Sequence, residues 1–353
     1  MTDATTTSTN QADLTDYRKK VKSRMLYLYE TGKWTDCQFL VGQEPSPKTI
    51  TAHKLVLSLA SPVFETMFFG TLTEQNDVSI RIVDIEAEVF RKILLYIYTD
   101  KICLDSMDDA FKIYYAAKKY LLPQVTDQCT TYIKSNIKPT NACLVYEFAK
   151  FYDESALLQS AKTIIINHTT QVIQDPSFLE LDLSTVIMIL DQEMLNITTE
   201  LDLFKALKKY AAKQGLSRVD HVNREQNPAT PPETPPSVNQ NQISNDENKE
   251  QTAVAKVQPK VSTIDDAIYR IRFLTLKPQE LAPELAGMDL LTQPEILAII
   301  MNCTMEASGF LMPADLSTNR KDRGQLYRQM RDISAGLDRM NQAWKGFNNI
   351  YTG

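Results

Sequence analysis

The residues that most often carry chemistry in enzymes are scarce in this chain and lie far apart. The three histidines are His53, His168 and His221, and no two of them have the spacing of metal ligands. The five cysteines form no C-x-x-C pair, and the sequence has no phosphate-binding glycine loop and no G-x-S-x-G turn. We therefore predict that the chain is not an enzyme and holds no metal ion or cofactor.

The composition also limits the partners. The 353 residues include 38 Lys and Arg against 44 Asp and Glu, so the net charge is −6. General nucleic-acid binders usually carry an excess of basic residues that contact the phosphate backbone, and this chain has none. No apolar run approaches the ~18–20 residues that span a bilayer, and residues 1–20 contain no secretion signal. Unpaired cysteines fit a reducing compartment. We expect no direct nucleic-acid binding, no membrane binding and a cytoplasmic location, with the nucleus left open.

Residues 16–136 have the patterns of a small mixed sheet with helices around it, after a polar segment at 1–15 that we predict to be disordered. Runs at 36–41, 49–52 and 78–82 predict three strands. The predicted helices of this section cover residues 16–30, 54–60, 63–69, one from residue 86, 106–119 and 121–136.

The remaining residues predict helices only, with one interruption. Residues 137–218 are helical, and Thr199 with Asp202 resembles a capping box. Residues 219–262 are rich in Pro, Asn and Gln and predict a disordered insertion. The longer loop adds only about 2 kcal/mol to the free energy of loop closure, which a helical domain can tolerate. Helices resume over 263–313, and the polar tail at 314–353 has no assigned fold beyond one candidate helix at 323–344.

The leading helix at 16–30 carries an apolar stripe that needs a partner. Val21, Met25 and Leu28 recur on one face, among several basic residues. This stripe packs either on its own domain or on a second copy of the chain.

Four runs of the first section together resemble a BTB/POZ domain. They occur in the family's order, at suitable intervals, and each alone would be a weak signal. The runs are residues 36–42 (DCQFLVG), 52–64 (AHKLVLSLASPVF), 96–100 (YIYTD) and 115–120 (YAAKKY).

The second half resembles the BACK domain that follows BTB in one branch of the family. Residues 195–211 resemble its central helix pair, with Tyr210 where relatives usually carry Trp, and later helices resemble the subgroup related to PHR-containing members. We expect no kelch repeats, MATH domain or PHR domain here. The resemblance covers residues 16–313 and implies an α+β BTB/POZ domain followed by an all-α BACK domain.

The resemblance also implies a function. Similar proteins serve as substrate adaptors of cullin-3 ubiquitin ligases, and their cullin motif is a large apolar residue, any residue, then Glu. Here Leu72 and Glu74 fit this motif, and Met67 and Phe68, just before it, complete the set of candidate cullin-binding residues. An exposed apolar side chain would enter a slot on cullin-3 while the carboxylate accepts hydrogen bonds at its edge. The alternative is that Leu72 caps the local core. The helices at 141–166 match the family's cullin-supporting 3-box, or are ordinary core.

Family dimers imply a homodimer through the leading helix, with Val21, Met25 and Leu28 as interface candidates. Asp36 and Lys54 match charged positions near the dimer groove, or form a local ion pair. Two functions therefore stay open, and neither names the substrate protein. The first is a homodimeric cullin-3 adaptor. The alternative is a non-enzymatic scaffold, or a regulator of transcription or differentiation, that does not bind a cullin.

Overall fold

The computed structural model describes residues 20–70, 79–216, 218, 262–285, 290–304 and 311–351. These form two compact units, Met1–Ile137 and Lys138–Gly353, within those described limits. The first unit contains α1 (Val21–Thr31), β1 (Cys37–Val41), β2 (Lys48–Ala52), α2 (Lys54–Ala60), α3 (Pro62–Phe69), β3 (Ile80–Ile82), α4 (Ala87–Thr99), α5 (Met107–Lys119) and α6 (Pro123–Ser135).

The strands of the first unit form a mixed sheet in the order β2-β1-β3. β1 pairs antiparallel with β2, placing Phe39 opposite Ile50, and parallel with β3, placing Phe39 opposite Ile80. Phe39 and Val41 are completely buried, because alternate residues of a strand point to the same face. The predicted mixed sheet with surrounding helices is therefore confirmed.

An aromatic cluster forms the core on this sheet. The Phe39 ring lies 5.1 Å from that of Phe90 and 6.0 Å from that of Phe64, both edge to face. Tyr120 stacks on Phe64 with ring centres 4.4 Å apart. Ser61 begins α3 by accepting a hydrogen bond from the Phe64 N–H at 3.3 Å, and its hydroxyl donates to the Tyr120 carbonyl at 2.6 Å. The cap and the core thus fix the position of α3 together.

The second unit is helical in its described residues. It contains α7 (Ala142–Phe151), α8 (Ser155–Asn167), α9 (Thr169–Gln174), α10 (Leu183–Leu190), α11 (Glu200–Gln214), α12 (Ile264–Ile268), α13 (Pro278–Leu285), α14 (Gln293–Thr304) and α15 (Arg323–Tyr351), with 3₁₀ turns at Pro176–Glu180 and Phe273–Thr275. The predicted capping box of Thr199 and Asp202 begins α11, as the structure confirms.

Both sides of the predicted insertion meet in this unit, although 219–261 lie outside the described residues. Arg218 forms ion pairs with Asp265 and, at 2.5 Å, with Glu295, and it donates to the Tyr269 hydroxyl at 2.7 Å. Farther from the junction, the Phe204 and Phe273 rings meet edge to face at 5.0 Å. These contacts close the base of the insertion.

The tail that the sequence analysis leaves without a fold begins as a buried part of the second unit. Arg323 is 3% exposed, and its guanidinium pairs with the Glu200 carboxylate at 2.6 Å and donates to the carbonyls of Leu190, Gln192 and Arg270. Burial raises the pKa of Glu200 and lowers that of Arg323. Each charge therefore depends on its partner in a site that disfavours it alone.

Candidate partner-binding surfaces

The end of α3 divides three consecutive side chains between core and surface. Phe68 is 8% exposed and packs on Phe39, Met67 is half-buried, and Phe69 is 63% exposed. Phe64 and Phe68 both point inward because they lie four residues apart on the helix. The side chain of Phe68, one of the candidate cullin-binding residues, therefore lies in the core and supports α3, and Phe69 is an exposed aromatic residue that the sequence analysis missed.

Gly70 ends this helix. Its N–H donates to the Thr66 carbonyl at 2.9 Å, and a Cβ at this position would lie only 2.3 Å from that same oxygen. Leu72 and Glu74, the residues expected to form the cullin motif, lie outside the described residues. The described part of the candidate site is thus the apolar end of α3, formed by Met67 and Phe69.

The α1 stripe lies partly on its own unit. Tyr29 donates a hydrogen bond to the Arg91 carbonyl at 3.1 Å and its ring lies 5.5 Å from that of Tyr98, which holds α1 against α4. Val21 is 62% exposed, whereas Met25 and Leu28 are half-buried. The stripe therefore keeps an exposed apolar end while its remainder contacts the first unit.

Asp36 and Lys54 meet through the backbone. The Asp36 carboxylate accepts a hydrogen bond from the Lys54 N–H at 2.7 Å, at the first turn of α2, where a negative charge is favourable. The Lys54 ammonium lies 5.9 Å from the centre of the Phe68 ring. The described contacts thus assign Asp36 to capping α2 and give no support to the local ion pair that the sequence left open.

His53 is a packed residue with both ring nitrogens occupied. Nε2 lies 2.7 Å from the Lys33 carbonyl and must donate to it, so Nδ1 accepts from the Tyr98 hydroxyl at 2.6 Å. The same hydroxyl accepts from the His53 backbone N–H at 3.1 Å. This closed arrangement fixes the turn between β2 and α2.

α7, in the second unit, has an exposed apolar face. The inner face of α7 packs in the core, where Ala142, Val145 and Ala149 are completely buried. Leu144 is 52% exposed and Phe151, seven positions later, is 81% exposed, both on the outer side. Phe151 is a surface residue that the sequence analysis missed.

The described residues were compared with two kinds of reactive site, a metal-binding cluster and an ionised thiol. No group of three or more His, Cys, Asp or Glu side chains in the described ranges could hold a metal ion. Burial raises the pKa of the Cys37, Cys129 and Cys143 thiols to about 12, so they stay protonated and unreactive.

Within the same described part of the chain, no helix has the length and apolar character needed to cross a membrane.

Comparison with known proteins gives two family matches and a set of relatives. The BTB/POZ domain model matches residues 25–137, and the BACK model (BTB And C-terminal Kelch) matches residues 142–224. Human BTB/POZ domain-containing protein 6 is 28% identical over 80% of this chain and 46% of its own length. BTB/POZ domain-containing protein 6-B of Danio rerio is 32% identical over 56% of this chain and 41% of its own length.

A third relative, human BTB/POZ domain-containing protein 3, is 31% identical over 54% of this chain and 36% of its own length. The chain thus spans less than half the length of these curated relatives. Two consecutive domain matches, on a mixed sheet followed by a helical unit, agree with the four motif runs and with the relatives. The chain therefore contains a BTB/POZ domain followed by a BACK domain.

Proposed function

We propose that this chain is the substrate-recruiting adaptor of a cullin-3 ubiquitin ligase and acts as a homodimer in the cytoplasm. Proteins built from BTB and BACK domains are generally scaffolds or adaptors, which fits this role. The observation that carries the proposal is the exposed Phe69 at the end of α3, directly before the segment with Leu72 and Glu74. An exposed aromatic residue beside an apolar-x-Glu motif offers the anchor and the hydrogen-bonding group that the partner requires.

A second apolar surface supports the same proposal. The outer face of α7, with Leu144 and Phe151, belongs to the segment that resembles the cullin-supporting helices. Its side chains are large and exposed, so it can contribute apolar area to an extended partner segment. The substrate would bind elsewhere, and its identity is not part of the proposal.

Calorimetric titration with the N-terminal domain of cullin-3 tests the proposal. We expect binding by the parent chain, and at least a tenfold loss of affinity, about 1.4 kcal/mol, for Leu72→Ala, Glu74→Ala and Phe69→Ala. Val83→Ala is the matched control, because Val83 is an apolar residue of the same unit that is 57% exposed. No binding by a folded dimeric parent would contradict the adaptor function and favour a scaffold without a cullin.

The dimer is tested separately at α1. Val21→Glu places a charge on the exposed end of the stripe, so we expect it to weaken dimerisation in analytical ultracentrifugation. Ser23→Glu, on another side of the same helix and also exposed, is the control with the same charge change. Equal dimer affinity for the two variants would exclude this end of α1 from the interface.

A further inference from the structure

The C-terminal helix α15 carries apolar residues at alternating spacings of four and three. Leu326, Met330, Ile333 and Leu337 follow this spacing, and the sequence continues it with Met340, Trp344, Phe347 and Tyr351. A repeat of 3.5 residues is typical of the a and d positions of a coiled coil, where they form one continuous seam. We call this set the C-terminal stripe.

The described part of the stripe is exposed beyond Leu326, which is half-buried. Met330, Ile333 and Leu337 are 53%, 61% and 56% exposed, whereas Arg323 at the start of the same helix is 3% exposed. Gly324 is also buried, so close to Ile197 that a Cβ would lie 2.3 Å from its carbonyl oxygen. The second unit therefore fixes the first turn of α15 and leaves the apolar stripe uncovered over the described turns that follow.

Such a helix needs a partner for its stability. Helical stability in proteins comes mainly from packing an amphipathic face, and an interior glycine costs about 1 kcal/mol relative to Ala. Gly336 lies in the middle of α15, and a Cβ there would meet nothing within 4 Å in this chain. Packing within this chain therefore does not explain a glycine at position 336. Gly336 borders the stripe, so its small size would let a second helix approach closely.

The residues beside the stripe indicate which partner fits. In coiled coils, charged residues at the flanking e and g positions select the partner and repel like charges. Here the flanking positions carry no charge in the first three heptads: they are Tyr327, Gln329, Ser334, Gly336, Asn341 and Ala343. The charged residues of these turns occupy the outer positions: Arg328, Arg331, Asp332, Asp338 and Arg339. Two identical helices can therefore pair without like-charge repulsion along the seam.

We propose that α15 pairs with the same helix of a second copy of this chain in a two-stranded coiled coil. This pairing is independent of the proposed cullin binding and of the α1 surface. It would link two chains through the end of the second unit. The α15 helix is 29 residues, or about 43 Å, long, so the seam can run well beyond the buried root at Arg323.

Electron paramagnetic resonance on the full chain tests this pairing by distance. A nitroxide label is placed at Gln342→Cys, an exposed position on the outer face of α15, in a Cys103→Ser background that removes the exposed native thiol. Helices in a coil lie about 8–10 Å apart, so we expect an interchain label distance of about 20–35 Å. Residue 342 lies near the middle of the stripe, so parallel and antiparallel coils both give a distance in this range.

Two variants with the same change in net charge then identify the seam. Ile333→Glu with Leu337→Glu should abolish the short distance, because the charges would be buried between the helices. Ala335→Glu with Arg339→Gln changes exposed outer residues and should retain it. Circular dichroism confirms that both variants keep the fold. A parent without the short distance, or equal distances in the two variants, would overturn pairing with a second copy and favour a helix of another protein.

Discussion

The two units use charged side chains in different ways. In the first unit, the Lys92 ammonium meets Asp105 at 2.5 Å and Asp109 at 2.7 Å, but Asp105 is 72% exposed. In the second unit, both side chains of the Arg323–Glu200 pair are buried, at 3% and 0% exposure. Lys92 and Asp109 are 25% and 16% exposed, so water screens the first set in part, above all at Asp105, whereas little water reaches the second.

This difference follows from how each unit builds its core. The first unit joins neighbouring elements through the aromatic cluster of Phe39, Phe64, Phe90 and Tyr120, so its ion pairs add little. The second unit must hold together segments from distant parts of the chain. Arg323 bridges 123 residues to Glu200 and also meets the carbonyl of Arg270. The buried Arg323–Glu200 pair therefore joins segments of the second unit that are far apart in the sequence.

The largest expected effect comes from breaking the buried pair. Arg323→Met should lower the free energy of unfolding of the second unit by about 3–5 kcal/mol, because it leaves the Glu200 carboxylate buried without its partner. Scanning calorimetry measures this loss. Adding Glu200→Gln to Arg323→Met should recover about 1–3 kcal/mol, since the unpaired charge is then gone. If the losses in free energy of unfolding of the two single substitutions simply add in the double variant, the two residues are not coupled. The contrast between a buried pair and a screened pair would then be wrong.

A smaller effect, with a pH dependence, is expected at Glu295. Burial acts to raise the pKa of Glu295, but hydrogen bonds from Arg218 and Thr292 outweigh it and lower the pKa. The stabilisation is therefore present above the unfolded pKa of about 4.3 and is lost as pH falls through the lower folded pKa.

Glu295→Gln should accordingly cost about 1–2 kcal/mol at pH 7 and reduce the dependence of stability on pH in the acid range. Urea unfolding of the second unit at several pH values measures both effects. Glu280→Gln is the control, because Glu280 is an exposed carboxylate with only a 3.9 Å contact to Lys277. The same pH profile for both variants would show that Glu295 does not act through its buried partners.

The smallest effect is expected in the first unit. Lys92→Met keeps the apolar stem of the side chain and removes the charge, so the loss should stay below about 1 kcal/mol. High salt should make parent and variant equal, because it screens the partly exposed pairs. Denaturation at low and high salt gives the comparison. A loss as large as that of Arg323→Met would mean that exposure does not separate the two kinds of pair.

Local patterns explain what the sequence could predict. The helix predicted at 54–60 has those bounds in the structure, because its apolar run ends at the Ser61-Pro62 pair that caps the next helix. The inward position of Phe68 was also accessible, since Phe64 lies four residues before it. The heptad spacing of α15 can also be read from the sequence. The overall polar composition of the tail gives no sign of it, because only the positions of the apolar residues reveal the repeat.

Other features had no local signal. Arg323 is one arginine in a charged tail, and nothing near it indicates burial, because its partner Glu200 lies on another helix far back in the sequence. The exposure of Phe69 and Phe151 depends on which side of each helix the rest of its unit covers. Such properties belong to the tertiary arrangement, and periodicity alone cannot supply them.

The closure by Arg218 has a consequence for how the second unit could be made. Arg218 and its partners Asp265, Tyr269 and Glu295 lie on opposite sides of residues 219–261, and Phe204 packs on Phe273 across the same junction. A protease that cuts within 219–261 would therefore produce two fragments that remain bound to each other. For the same reason, the two halves could be expressed as separate polypeptides that assemble with each other. The break between 219 and 261 would then lower the stability of the assembled unit only slightly, as in a split reporter protein.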